Sequence, residues 1–99
     1  MKLKLSGSWQ AKVRIFGIDL WNRKGTINKT VTLGKTEVKV PVGPLLLVIG
    51  KGPTAKDVQI DAYAGIGKVG SKLIRSGLKD QVFYAEWKGG EIRVKAEVI

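Results

Sequence analysis

Apolar side chains recur at every second position through most of this chain, a spacing that belongs to extended strands. Leu3 and Leu5 alternate with Lys2 and Lys4, and Trp9, Ala11, Val13 and Ile15 alternate with Gln10, Lys12 and Arg14. Ile27, Val31 and Leu33 share one parity, with Thr26, Thr30 and Thr32 on the other. The same pattern returns in Val38 to Val42, Val58 to Ala64 and Ile92 to Val98. Each such segment buries one face and wets the other, as antiparallel sheets do. Leu45 to Ile49 is apolar throughout and Val82 to Trp87 nearly so, which predicts strands covered on both faces.

Gly7, Asn22 to Gly25, Gly34-Lys35, Gly43-Pro44, Gly50 to Pro53 and Gly89-Gly90 separate these segments and read as turns. Lys88-Gly89-Gly90-Glu91 reads as a hairpin between the last two strands. The expected architecture is one all-β domain over residues 1–99, an antiparallel β-sandwich or small barrel of about seven or eight short strands. Residues 65–79 depart from the pattern. Ser71 to Arg75 suits one short helix near 71–77, capped by Ser71 and stopped by Gly77; otherwise the stretch is a long loop.

The chain has neither cysteine nor histidine. Disulfides, thiolate and imidazole metal sites, and catalysis by Ser-His-Asp or Cys-His are therefore excluded. The carboxylates offer no acid/base pair: Asp57 and Asp61 stand two pleats apart on one strand face, and Glu86 is expected to pair with a lysine. The expectation is a protein that is not an enzyme and carries no cofactor and no metal.

Charge points to the partner. Lys and Arg number 18 against 8 Asp and Glu, a net +10. Residues 1–51 carry ten basic side chains against only Asp19 and Glu37, whereas residues 52–99 carry eight against six. Such asymmetry favours a polyanion: nucleic acid, an anionic membrane or an acidic protein surface. No apolar stretch at the start resembles a secretory signal, and Leu45 to Ile49 is far too short for a membrane span. A cytoplasmic or virion-associated protein is expected, with a composition that suits a hot environment.

Two stretches stand out as candidate sites. Gly65-Ile66-Gly67-Lys68-Val69-Gly70 matches a dinucleotide fingerprint, but no βαβ unit surrounds it. Its reduced form is a phosphate loop of Gly65, Gly67, Lys68, Gly70, Lys72 and Arg75, set against a plain surface loop with solvated lysines. The second candidate is a polyanion-binding set of Lys12, Arg14, Trp21, Arg23, Lys24 and Lys39, an aromatic among cations of the kind that stacks bases and neutralises phosphates. Trp9 and Trp87 share parity with buried positions and read as core residues; Trp21 falls in a turn and reads either way.

Thr30 to Leu47, TVTLGKTEVKVPVGPLLL, resembles the middle of transthyretin-like and carboxypeptidase-regulatory-like β-sandwiches, where a strand passes through a V-P-x-G turn into the next. The likeness covers that one segment, and the longer Asp19 to Gly25 replaces the short Asp-x-x-Gly turn of those domains. It implies a sandwich used as a structural or adhesion unit. The functional expectation is thus a non-catalytic structural or interaction module with a protein partner or self-assembly, such as a minor component of a virion, capsid or filament. The alternative is a nucleic-acid-binding β-domain.

Overall fold

The computed structural model places the alternating segments in eight strands: β1 (Lys2–Ile15), β2 (Ile18–Thr32), β3 (Val38–Val42), β4 (Leu45–Lys51), β5 (Asp57–Ala64), β6 (Gly67–Arg75), β7 (Gln81–Trp87) and β8 (Gly90–Val98). It describes every residue but Ala55, and the side chains of Val13, Arg14, Asp19, Leu20 and Trp21 also lie outside the description. The strands form two antiparallel sheets, ordered β2-β1-β8-β7 and β3-β4-β5-β6. The sandwich read from the period-two spacing is the observed fold.

The inward parities meet between the sheets. Leu3, Leu5, Ile27, Val31, Phe83, Ile92, Val94 and Ala96 of the first sheet pack with Val40, Leu45, Leu47, Ile49, Val58, Ile60 and Ile74 of the second in one cluster. Each large side chain removed from water here contributes ~1.5–3 kcal/mol. Among the described residues no polar or charged side chain is buried, so the interior needs no side-chain hydrogen bonds. Trp9 and Trp87 are half-buried against the cluster, consistent with their parity.

Four local expectations are corrected. Gly7 is not a turn: β1 runs through it, pairing Gly7 with Ile27 on one side and Val94 on the other. A Cβ at Gly7 would come 2.7 Å from Val94 Cα, so this glycine marks a close approach of strands, the other meaning a strand glycine carries. Asn22 to Gly25 likewise lies within β2, where Gly25 makes room for the indole of Trp9. The helix expected near 71–77, and the loop offered in its place, are both replaced by strand β6, whose pairing with β5 overrides a weak local helical signal. Finally, β7 ends its sheet and leaves Val82 and Tyr84 exposed, while β4 is interior to its sheet with Leu46 and Val48 half-buried. Neither is covered on both faces. The Gly89 hairpin does join β7 to β8.

Candidate functional site

The most distinctive feature is the β1–β2 hairpin. β8 pairs with β1 only from Leu3 to Ala11, and Lys12 adds a last bond by donating its N–H to Gly89 O at 2.7 Å. The β1–β2 pairing continues to Ile15 and Ile18. Past Lys12 the two strands therefore project from the sandwich as a ribbon. At ~3.4 Å per residue the length of β1 comes to about 48 Å, and the longest dimension of the molecule is 48 Å. A register shift between Val13 and Arg14 leaves Leu20 as the extra residue on β2, a bulge that increases the twist of the ribbon.

The reversal is two residues long. Phe16 and Gly17 both have positive φ, 52° and 78°. Paired positive values are the signature of a type I′ turn, which favours Asn-Gly because both residues must enter the left-handed region. Gly17 does so freely, whereas a large aromatic at Phe16 costs ~1–2 kcal/mol of local strain. Yet Phe16 is 98% exposed, and its neighbours Ile18 and Ile15 are 63% and 47% exposed. The tip Ile15-Phe16-Gly17-Ile18 is thus an apolar cap held away from the core on a strained turn.

The polyanion-binding candidates divide. Lys12, Arg23 and Lys24 are exposed at the root of the ribbon, where β8 still flanks β1. Lys12 opposes Asn22 and Lys24 opposes Gln10, so these two lysines share one face; Arg23 opposes Ala11 and takes the other. The cations lie on both faces of this root and do not form a single flat face. The side chains of Arg14 and Trp21 lie outside the described residues. Lys39 stands apart, exposed on β3 of the second sheet.

The phosphate-loop candidates are rearranged. Gly65 and Ile66 form a tight turn between β5 and β6, and Gly67, Lys68, Gly70, Lys72 and Arg75 all lie on strand β6, paired with β5. Backbone amides committed to a ladder do not form an anion cradle. Lys68 Nζ instead stands 3.8 Å from Asp61 Oδ1, and Ser71 Oγ donates to the same oxygen at 2.7 Å.

Glu86 is exposed and accepts a hydrogen bond from Tyr84 Oη at 3.1 Å, in place of the expected lysine. Glu91 lies 3.0 Å from the same oxygen, so the two carboxylates share the one hydroxyl proton, and the Arg93 guanidinium sits 5.4 Å from the Tyr84 ring centroid. Hydrogen bonds to Glu91 and then Glu86 push the Tyr84 phenol up to about 12, which keeps its proton in place at neutral pH. Among the described residues no group of three or more acidic side chains is disposed to hold a metal ion.

Sequence reasoning missed the tip. The visible signal was Ile15-Phe16-Gly17-Ile18, a residue followed by glycine between two alternating runs, which is the two-residue hairpin pattern. Fold and site together define an all-β sandwich that presents an apolar-tipped ribbon with cations at its root. Comparison with protein-family models, with curated proteins and with solved structures finds no match to this chain.

Proposed function

We propose that this protein is a non-catalytic interaction module that docks on a protein partner, within a larger assembly such as a virion or filament, through the tip of the β1–β2 ribbon. One observation carries the reading: Phe16 occupies a turn position that costs the fold stability, while 98% of its surface faces water. Strain kept at an exposed aromatic is accounted for by a use outside the fold. Aromatic anchors that enter a pocket dominate the energetics of protein interfaces. The cations at the root of the ribbon fit a pocket rimmed by carboxylates, which accelerates encounter and fixes orientation.

A second reading, nucleic-acid binding, draws on the disposition of Lys12, Lys24 and Arg23 at the root of the ribbon. A two-stranded ribbon fits the ~12 Å major groove, and an apolar tip can wedge between base steps. One experiment separates the two. A photo-reactive residue is placed at Ile18, and the full chain is irradiated in the cell that produces it. A protein adduct of one discrete mass supports the leading reading, and an adduct to nucleic acid supports the second. No adduct of either kind overturns both. For the second reading, neutralisation of about three phosphates by the cations at the root of the ribbon gives a log–log salt slope near −2.7.

A further inference from the structure

The two long sides of the sandwich are not alike. On one side β6 closes on β7: a Cβ at Gly70 would stand 2.7 Å from the Cβ of Ala85. On the other side β2 ends the first sheet and β3 ends the second. Between them runs a groove of about 260 Å³ whose walls include Trp9, Ile27, Lys29, Val40 and Val42.

The hydrogen-bond ladder says which backbone groups face that side. Lys2 exchanges bonds with Ile99, and Lys12 donates to Gly89, so even-numbered residues of β1 bond toward β8. Odd-numbered ones bond toward β2, as the bond from Leu33 N to Met1 O also requires. Alternation along an antiparallel ladder then turns the N–H and C=O of Asn22, Lys24, Thr26, Asn28, Thr30 and Thr32 outward, away from β1. β2 is 15 residues long, whereas β3, the other edge on this side, has five and includes Pro41. A long row of outward donors and acceptors beside an apolar groove is a template for another strand.

We infer that the outer edge of β2 accepts an extended acidic segment of a partner polypeptide as an added strand. Charge selects the occupant. β2 carries Arg23, Lys24 and Lys29, β3 carries Lys39, and Asp19 is the one carboxylate in either strand. A second copy would bring this cationic edge against itself, and lysines on an edge are a common means of discouraging that pairing. In an added strand of alternating acidic and apolar residues the apolar side chains lie over the groove with Ile27 and Trp9, and the carboxylates stand on the other face beside Lys24; Arg23 and Lys29, on the groove's face, add to the positive field along the edge. The inference does not rest on the apolar tip: it uses the outer edge of β2 and shares only Arg23 and Lys24 with the docking proposed for the ribbon.

The probe is a capped peptide of alternating Glu and Val, with the Lys and Val peptide as its counterpart. Each is titrated into the full-length ¹⁵N-labelled protein and followed by amide shifts and hydrogen exchange. The expected result is slowed exchange at Thr26, Asn28 and Thr30, with the acidic peptide bound about tenfold more tightly than the basic one. Asn28→Pro removes an outward donor and no β1–β2 bond, and is expected to abolish that protection; Phe16→Ser leaves it unchanged. Should Asn28→Pro fail to fold, the paired change Lys24→Glu and Lys29→Glu serves instead and is expected to reverse the preference between peptides. Equal binding of both peptides, absence of protection at the outward amides, or a folded Asn28→Pro protein that binds as before would each overturn the inference. Loss of tip docking alone, with edge binding intact, would sink only the proposal made for the ribbon.

Discussion

Replacing Phe16 with Asn is expected to make the isolated protein more stable while removing its docking. The turn holds Phe16 at φ 52° and Gly17 at φ 78°. Asn enters that region with several-fold greater ease than an aromatic residue, and Asn-Gly is the favoured pair for such a turn. Relief of part of the ~1–2 kcal/mol of strain predicts a gain of about 0.5–1 kcal/mol. Nothing offsets it from the core, because the Phe16 side chain is 98% exposed and makes no part of the buried cluster. For a domain of this size the gain corresponds to a rise in Tm of about 2–8 °C. Calorimetry and urea unfolding of the two proteins read the stability. The photo-reactive residue at Ile18, carried in the Phe16→Asn background, reads the docking. If Phe16→Asn lowers stability, the aromatic ring supports the fold and the strain argument fails. If stability rises but the protein adduct at Ile18 persists undiminished, the tip is not the anchor.

Other outcomes follow from the same geometry. Phe83 is 1% exposed and the largest of the fully buried side chains, so Phe83→Ala is expected to cost ~3–5 kcal/mol, seen as a lower urea midpoint at unchanged slope. Gly70→Val, which places a branched side chain against Ala85, is expected to cost ~1–3 kcal/mol by overpacking where β6 meets β7. Ultraviolet titration of the phenols should show Tyr84 ionising near pH 12, and Glu91→Gln should move it back toward its ordinary value of 10.0. The sign follows from the raised value: the fold favours the neutral phenol, so the Tyr84 contribution to stability is complete below the unfolded value and is lost as pH climbs from 10 toward 12.

The sandwich was legible because its interior is filled almost wholly by one parity of each strand. Leu3, Leu5, Val58, Ile60, Ile92 and Val94 all stand where the alternation puts them. What misled was glycine, which signals a turn and a close approach with the same letter. Gly7 and Gly25 sit inside long strands because neighbouring backbone or the Trp9 indole occupies the space a side chain would need, and that crowding is tertiary. β6 was hidden for a related reason: Gly67, Gly70 and Ser71 weaken its alternation, and only its pairing with β5 makes it a strand. The cationic root of the ribbon was partly legible from composition, since Lys12, Arg23 and Lys24 do come together. That they stand where a ribbon leaves the sandwich, with Lys39 left on another sheet, depends on where β8 stops along β1. The same endpoint exposes Ile15, Phe16 and Ile18, whose alternation would otherwise continue the core.

The place of β1 within its sheet also decides how the molecule bears load. The strand that reaches the tip is clamped along its lower length by β8 from Leu3 to Ala11, antiparallel and without a bulge. A partner tugging on Phe16 along the ribbon axis would slide β1 past β8, straining all of those bonds together rather than unzipping them one at a time. The hairpin is therefore better suited to act as a tether under tension than as a loosely hinged finger. Its resistance resides in the body of the sandwich and not in the few residues that project from it.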